Sequence, residues 1–241
     1  MKRFLVVFLS LVMLVCFVSV GYTASYTIKF YDNGIVVNSF ADKIFSDGKG
    51  SKHSYTVEAD DYSEAVIKSN KLFNQYIEEM LRQNPDFQQQ FYSEEVSEDH
   101  LEKTKSITLF YNTLISLNKD LKETANFVIS VDVGKDTPND FVFGYTAKDW
   151  LFIDSIILFI DGNKILLQTT KNPVRNVGNG IIQEIVSVFP TTQQLKSMLN
   201  AKEILVRLSG ANGKPSKDFM FSSQNIYNFK KFYETYLKPK K

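Results

Sequence analysis

One cysteine and two histidines are all that 241 residues offer of the soft metal ligands. An internal disulfide is excluded, and a structural zinc site lacks most of its usual ligands. An excess of one charge is missing too, with 28 Lys and Arg against 27 Asp and Glu. That balance removes the electrostatic case for a nucleic-acid partner. No Gly-x-Ser-x-Gly elbow and no His-Glu-x-x-His run occurs, so neither a strained nucleophile turn nor a helical zinc pair is encoded. Gly48-Lys49-Gly50-Ser51 has the letters of a phosphate loop without its spacing, and reads as a flexible connection. No internal repeat is visible. No Asn opens an Asn-x-Ser/Thr acceptor, which leans toward a bacterial origin.

What is present begins at the N-terminus. Lys2 and Arg3 precede an apolar run from Phe4 to Val20 that only Ser10 and Ser19 relieve, and Gly21, Tyr22, Thr23 and Ala24 follow. This is the layout of a secretory signal peptide over residues 1–24, with cleavage expected after Ala24 or, as a close second, after Gly21. A retained anchor is the competing reading, because roughly 17 apolar residues is the lower limit for spanning a bilayer. Lipid attachment at Cys16 is a third, disfavoured by the bulk of Val15 in front of it. Cleavage would remove the only cysteine together with two positive charges. The remaining chain is nearly neutral and thiol-free, so its core has to hold it together unaided.

Apolar residues make up 44% of the sequence, enough for a substantial core. Tyr26 to Phe40 alternates around Asp32-Asn33-Gly34 and reads as a hairpin. Asp61 with Glu64 predicts a helix start, followed by Val66, Phe73, Ile77 and Met80 on one face and by Asn84-Pro85 as a break. Ile107, Phe110, Leu114, Leu117 and Leu121 are spaced 3, 4, 3 and 4, which predicts a second helix from Ser97 to about 122. From 125 onward alternating runs predict strands: FVISVDV, FVFGYT, WLFIDSIILFI, KILLQT, IIQEIVSVF, EILVRLS and DFMFS. Asp161-Gly162 and Asn212-Gly213 are their turns. Thr191 with Gln194 caps a short helix, and Ser223 opens a last one. The expected fold is α+β: an N-terminal hairpin and helical pair, then a mainly antiparallel sheet with two covering helices. The expected division is 1–24 as leader, 25–123 as hairpin plus helical region, 124–238 as α+β domain and 239–241 as basic tail.

DWLFIDSIILFIDGNKILL, followed by EILVRLSG and FKKFYETYL, resembles a C-terminal module of a family of exported bacterial proteins over about residues 125–238. Trp150 to Ile153, Asp161-Gly162, Arg207 and Gly210 carry the likeness. The resemblance implies an α+β fold and an envelope location, and it assigns no activity and no catalytic residue.

Candidate sites are few. His53 and His100 stand 47 positions apart in polar surroundings and read as solvated side chains. Asp132, Asp136 and Asp140, with Asn139, gather hard oxygen ligands between two strands, a pattern that a calcium-like ion could use and that ordinary turns also show. Asp154 interrupts an apolar strand. A sheet ion pair, Asp154–Arg207 or Glu184–Arg207, or a solvent-facing position for Asp154 is expected. Trp150 is expected to be largely buried. Twelve Tyr, twenty Phe and one Trp make 14% of the chain, and most fall on core-facing stripes, which Tyr55, Tyr62, Tyr92 and Tyr111 fit least. These four are the candidates for a recognition surface. No cofactor is expected. The reading that joins these features is an exported, non-enzymatic envelope protein that binds a protein or another envelope component. A carboxylate-dependent hydrolase and a structural subunit assembling through helices 61–122 are the alternatives.

Overall fold

A computed structural model describes residues 24–31, 34–37, 53–99, 103–118, 123–134, 138, 140–170 and 173–238. Residues 1–23 of the expected leader, with Cys16, and His100, Asp136, Asn139 and the basic tail lie outside them. The fold is α+β, with antiparallel sheets and three helices among the described residues. No helix among these residues is long and apolar enough to cross a membrane.

Strands β1 (Ala24–Tyr31) and β2 (Gly34–Val37) form the expected hairpin, and β3 (His53–Ala59) pairs on the other side of β1. Helix α1 (Tyr62–Gln83) starts where the sequence places it: Asp61 accepts the Glu64 amide at 2.8 Å, and the Glu64 carboxylate accepts the Asp60 amide at 2.7 Å. Both bonds satisfy donors that a helix start would otherwise orphan. The helix ends before Asn84-Pro85. Val66, Phe73 and Ile77 are buried and join Val57 and Ala59 in a small core.

No second helix occupies the described residues of 97–122, which instead contribute to β4 (Glu94–Asp99), β5 (Thr104–Thr113) and β6 (Ile115–Ser116). A corner produced the misleading period. Ile107 and Leu109 alternate inward along β5, the register then shifts between Leu109 and Asn112, and the chain turns into another sheet at Leu114. A bulge and a change of sheet moved the phase of the apolar positions, and the resulting 3–4 spacing imitates a helix. Thr104, Ile107, Thr108 and Thr113 are β-branched, which suits a strand. The alternative of assembly through two helices in 61–122 loses one of them.

The remaining strands are β7 (Thr124–Asp132), β8 (Asp140–Ala147), β9 (Ile153–Ile160), β10 (Asn163–Leu167), β11 (Val174–Gly178), β12 (Ile181–Val188), β13 (Ile204–Gly210) and β14 (Lys217–Met220). Helices α2 (Thr192–Asn200) and α3 (Ser223–Phe232) complete the set. A six-stranded sheet runs β11-β12-β8-β7-β5-β4, and a five-stranded sheet runs β10-β9-β13-β14-β6. The boundary expected near residue 123 falls between β5 and β7, which pair in one sheet. One hydrophobic core takes Phe127, Phe141 and Phe143 from the first sheet and Ile156, Leu158, Val206 and Phe219 from the second. The same core takes Met198 from α2 and Phe229 and Phe232 from α3.

Five crossings tie the two sheets together, two of them running from β6 to β7 and from β12 through α2 to β13. The other three pass from β5 to β6 at Leu114, from β8 to β9 through 148–152, and from β10 along residues 168–170 to β11. In the crossing from β10 to β11 Phe189 donates to the Gln168 carbonyl at 3.1 Å and Thr170 to that of Ser187 at 2.9 Å. Strands that change sheets make the corners of a packed sandwich.

Candidate functional site

Tyr55 is exposed on β3 and lines a groove of about 440 Å³ with Leu72, Gln75, Tyr76, Glu79, Met80 and Gln83. Tyr62 is a core residue, 8% exposed, whose ring meets Tyr26 edge-on at 6.3 Å. Burial pushes its phenol up to about 12. Tyr62 is therefore not a surface candidate: it opens α1 off the apolar stripe, and Tyr26 of the three-stranded sheet packs against it. The Tyr111 side chain lies outside the described residues.

Tyr92 sits in a surface cluster that the sequence does not announce, because Tyr227, Lys231 and Tyr236 join it from 135 or more positions away. Its hydroxyl donates to Glu94 at 2.5 Å, and Tyr236 donates to the other oxygen of that carboxylate at 2.8 Å. The Lys231 ammonium lies 4.3 Å from the centre of the Tyr92 ring and also donates to Gln89, which accepts from Tyr227 at 3.2 Å. Burial, then the Glu94 hydrogen bond, raises the Tyr92 phenol well above its ordinary value, and the same causes push Tyr236 up to about 12. Every polar group here answers another. The cluster fastens the C-terminal helix to the 87–94 segment.

Asp132 and Asp140 stand on the outward face of the six-stranded sheet, not in a cleft. Asp132 accepts from Ser106 at 2.6 Å, and Asp140, whose neighbour in register is Ser130, accepts from Ser187. Partial burial raises the Asp140 carboxyl above its ordinary value, and the Ser187 bond offsets part of that. Neither residue lines the 440 Å³ groove, nor the 190 Å³ one between Leu117, Phe159, Leu205, Arg207 and Asp218. Among the described residues no group of three or more His, Cys, Asp or Glu is placed to hold a metal ion.

The expected ion pairs are re-dealt. Asp154 is exposed, and its carboxylate accepts from the Ser155 hydroxyl at 3.2 Å. Arg207 makes a bidentate pair with Asp218 across β13 and β14, both bonds at 2.7 Å. In-register pairing decides this, because Arg207 stands opposite Asp218. Glu184 pairs with Arg175, its register neighbour on β11.

Glu184 anchors the most unusual geometry in the molecule. Its side chain is 0% exposed. One carboxylate oxygen accepts the amides of Leu151 and Phe152 at 2.6 and 2.8 Å, and the other accepts that of Ile153 at 3.0 Å. Three consecutive N–H groups converge on it at the corner where β8 leaves one sheet for β9 in the other. Phe152 adopts φ +56° there, a conformation that costs a bulky side chain roughly 1–3 kcal/mol. Ala211 donates to the Phe152 carbonyl at 2.9 Å from the far side. Gly210 leaves the room: a Cβ there would lie 2.8 Å from the Leu151 carbonyl oxygen.

The strained turn puts Phe152 beside Trp150, with ring centres 6.0 Å apart and planes 29° from parallel. Trp150 is half-buried, less enclosed than its apolar surroundings in sequence predict, because it sits on the crossing ahead of β9 and not in the strand. The Arg175 guanidinium lies 5.3 Å from the Phe152 ring centre, with its Nε 3.5 Å from Glu184. Two aromatic faces and a 37% exposed arginine therefore share one pinned corner. Sequence reasoning singled out Trp150 and Glu184 separately. The register Arg175↔Glu184 and the amide convergence that unites them are tertiary. Compared with known proteins, the chain matches no family model, no curated protein and no solved structure.

Proposed function

We propose that this chain is an exported bacterial envelope protein that binds a protein or another envelope component and carries out no catalysis. The observation that carries the reading is the Trp150–Phe152–Arg175 corner. Rigid aromatic faces beside an arginine are the commonest anchors of recognition surfaces, and a pre-ordered surface loses little entropy on binding. The leader pattern at residues 1–24 supports the location. Glu184, Asp218, Asp161 and Asp61 are engaged in holding backbone or arginine in place, which leaves them poorly suited to proton transfer.

Two measurements test the proposal. Fractionation with N-terminal sequencing is expected to find an envelope protein starting at Ser25 or Tyr22; a cytoplasmic chain starting at Met1 would overturn the location. The immobilised exported chain, exposed to solubilised envelope, is expected to retain a component that its Trp150→Ala variant does not. Identical retention by both would remove the corner as the binding surface.

A further inference from the structure

We infer that the corner takes an oxyanion, carboxylate or phosphate, attached to a flat apolar group, with the anion on Arg175 and the flat group against Phe152 and Trp150. The inference rests on the binding reading above and names the chemistry of its ligand. A guanidinium carries five N–H donors in a planar fork. Arg175 commits only Nε, at 3.5 Å, and among the described residues its terminal nitrogens have no acceptor. That leaves the edge that binds carboxylates and phosphates in bidentate fashion.

Glu184 does not cancel this charge fully. A carboxylate offers about four acceptor sites, and three are taken by the amides of residues 151–153. Its negative charge is spread over a buried cradle of backbone dipoles before the arginine arrives. Glu184 acts as a positioning residue: it fixes Nε and so aims the opposite edge outward. The strain at Phe152 is consistent with this role, because sparsely populated backbone conformations persist where surrounding contacts over-determine them, and they cluster at binding sites. Here a buried carboxylate and the Ala211 amide supply that over-determination. Its effect is to lay a phenyl ring under the arginine and beside the chain's single tryptophan.

The single Trp150 makes the test direct, because the intrinsic indole fluorescence comes from this corner alone. The purified exported chain is titrated with benzoate, phenyl phosphate and neutral benzamide. Benzoate or phenyl phosphate is expected to change the emission saturably, with benzamide at least about tenfold weaker; whichever anion binds more tightly assigns the ligand to carboxylates or phosphates. Arg175→Gln, with its urea midpoint measured alongside, is expected to reduce the preferred anion to the benzamide level, and Arg175→Lys to recover only part of it. The comparison of charged and neutral rings on the unaltered protein decides the matter even if a variant fails to fold. Benzamide binding as well as benzoate overturns the oxyanion assignment while leaving an aromatic binding surface in place. No saturable response to any of the three overturns it as well, whatever the export and capture experiments find.

Discussion

At the residue scale, Glu184 shows how far a carboxylate's value depends on what surrounds it. It reads in the sequence as one polar letter in IIQEIVSVF, yet it holds the corner on which both aromatics stand. Replacing it by Ala would leave three buried amides without an acceptor and Arg175 without its partner. Glu184→Ala is expected to cost about 3–5 kcal/mol in urea unfolding, and Glu184→Gln less, since an amide oxygen can still take two of the donors. A loss below about 1 kcal/mol for the alanine variant would mean that the corner is held otherwise. Asp140 is the opposite case. Its carboxyl sits above the ordinary 3.8 because partial burial disfavours the charge. A raised carboxyl favours the folded state while protonated, so that contribution is present below about pH 3.8 and is lost as pH rises through the raised value. Asp140→Asn is therefore expected to raise the unfolding midpoint at pH 7 and to leave it unchanged near pH 3. The same gain at both pH values would show that the effect is not ionisation.

At the element scale, the C-terminal helix α3 and the turn after it are fastened by the Tyr92–Glu94–Tyr236 bridge. Both phenols are raised, mainly by burial. A raised phenol stabilises the fold fully below its unfolded value of about 10, and this contribution disappears as pH climbs through the folded values, about 12 for Tyr236. Alkaline titration is expected to show late-ionising tyrosines, with stability falling across that window. The Tyr92→Phe, Tyr236→Phe double variant is expected to flatten the fall, as followed by tyrosinate absorbance and circular dichroism together. Helices α1 and α2 need no such tertiary help to be read. Each begins at a side-chain cap visible in the sequence, Asp61 for α1 and the Thr191–Gln194 capping box for α2. Strand β5 was not legible in the same way, because its bulge and its exit at Leu114 broke the alternation that identifies a strand.

At the scale of the whole molecule, two cores of unequal size share the five-stranded sheet. Leu114 and Phe219 face the large core, while Ile115, Leu117 and Met220 face the small one beneath α1. The small core has fewer fully enclosed side chains, and β1 to β3 form a separate sheet. Local opening follows buried contact density. Hydrogen exchange is expected to release the amides of β1 to β3 well before those of β7 and β8. Equal protection would make the two cores one cooperative unit.

The α+β class, the N-terminal hairpin, the capped helices and most strands from 125 onward follow from local rules: alternation, caps and turn residues act over a few positions and leave their mark in the letters. Tertiary structure decided the rest. It turned 104–113 into a strand, took Tyr62 inside, gave Arg207 to Asp218 and Arg175 to Glu184, and gathered Trp150, Phe152 and Arg175 at one corner. Each of these depends on which residues stand opposite one another once strands pair and pack, and in a sandwich whose chain crosses between its two larger sheets five times, that register is set by the tertiary structure. Pairing of that kind has no local period to read.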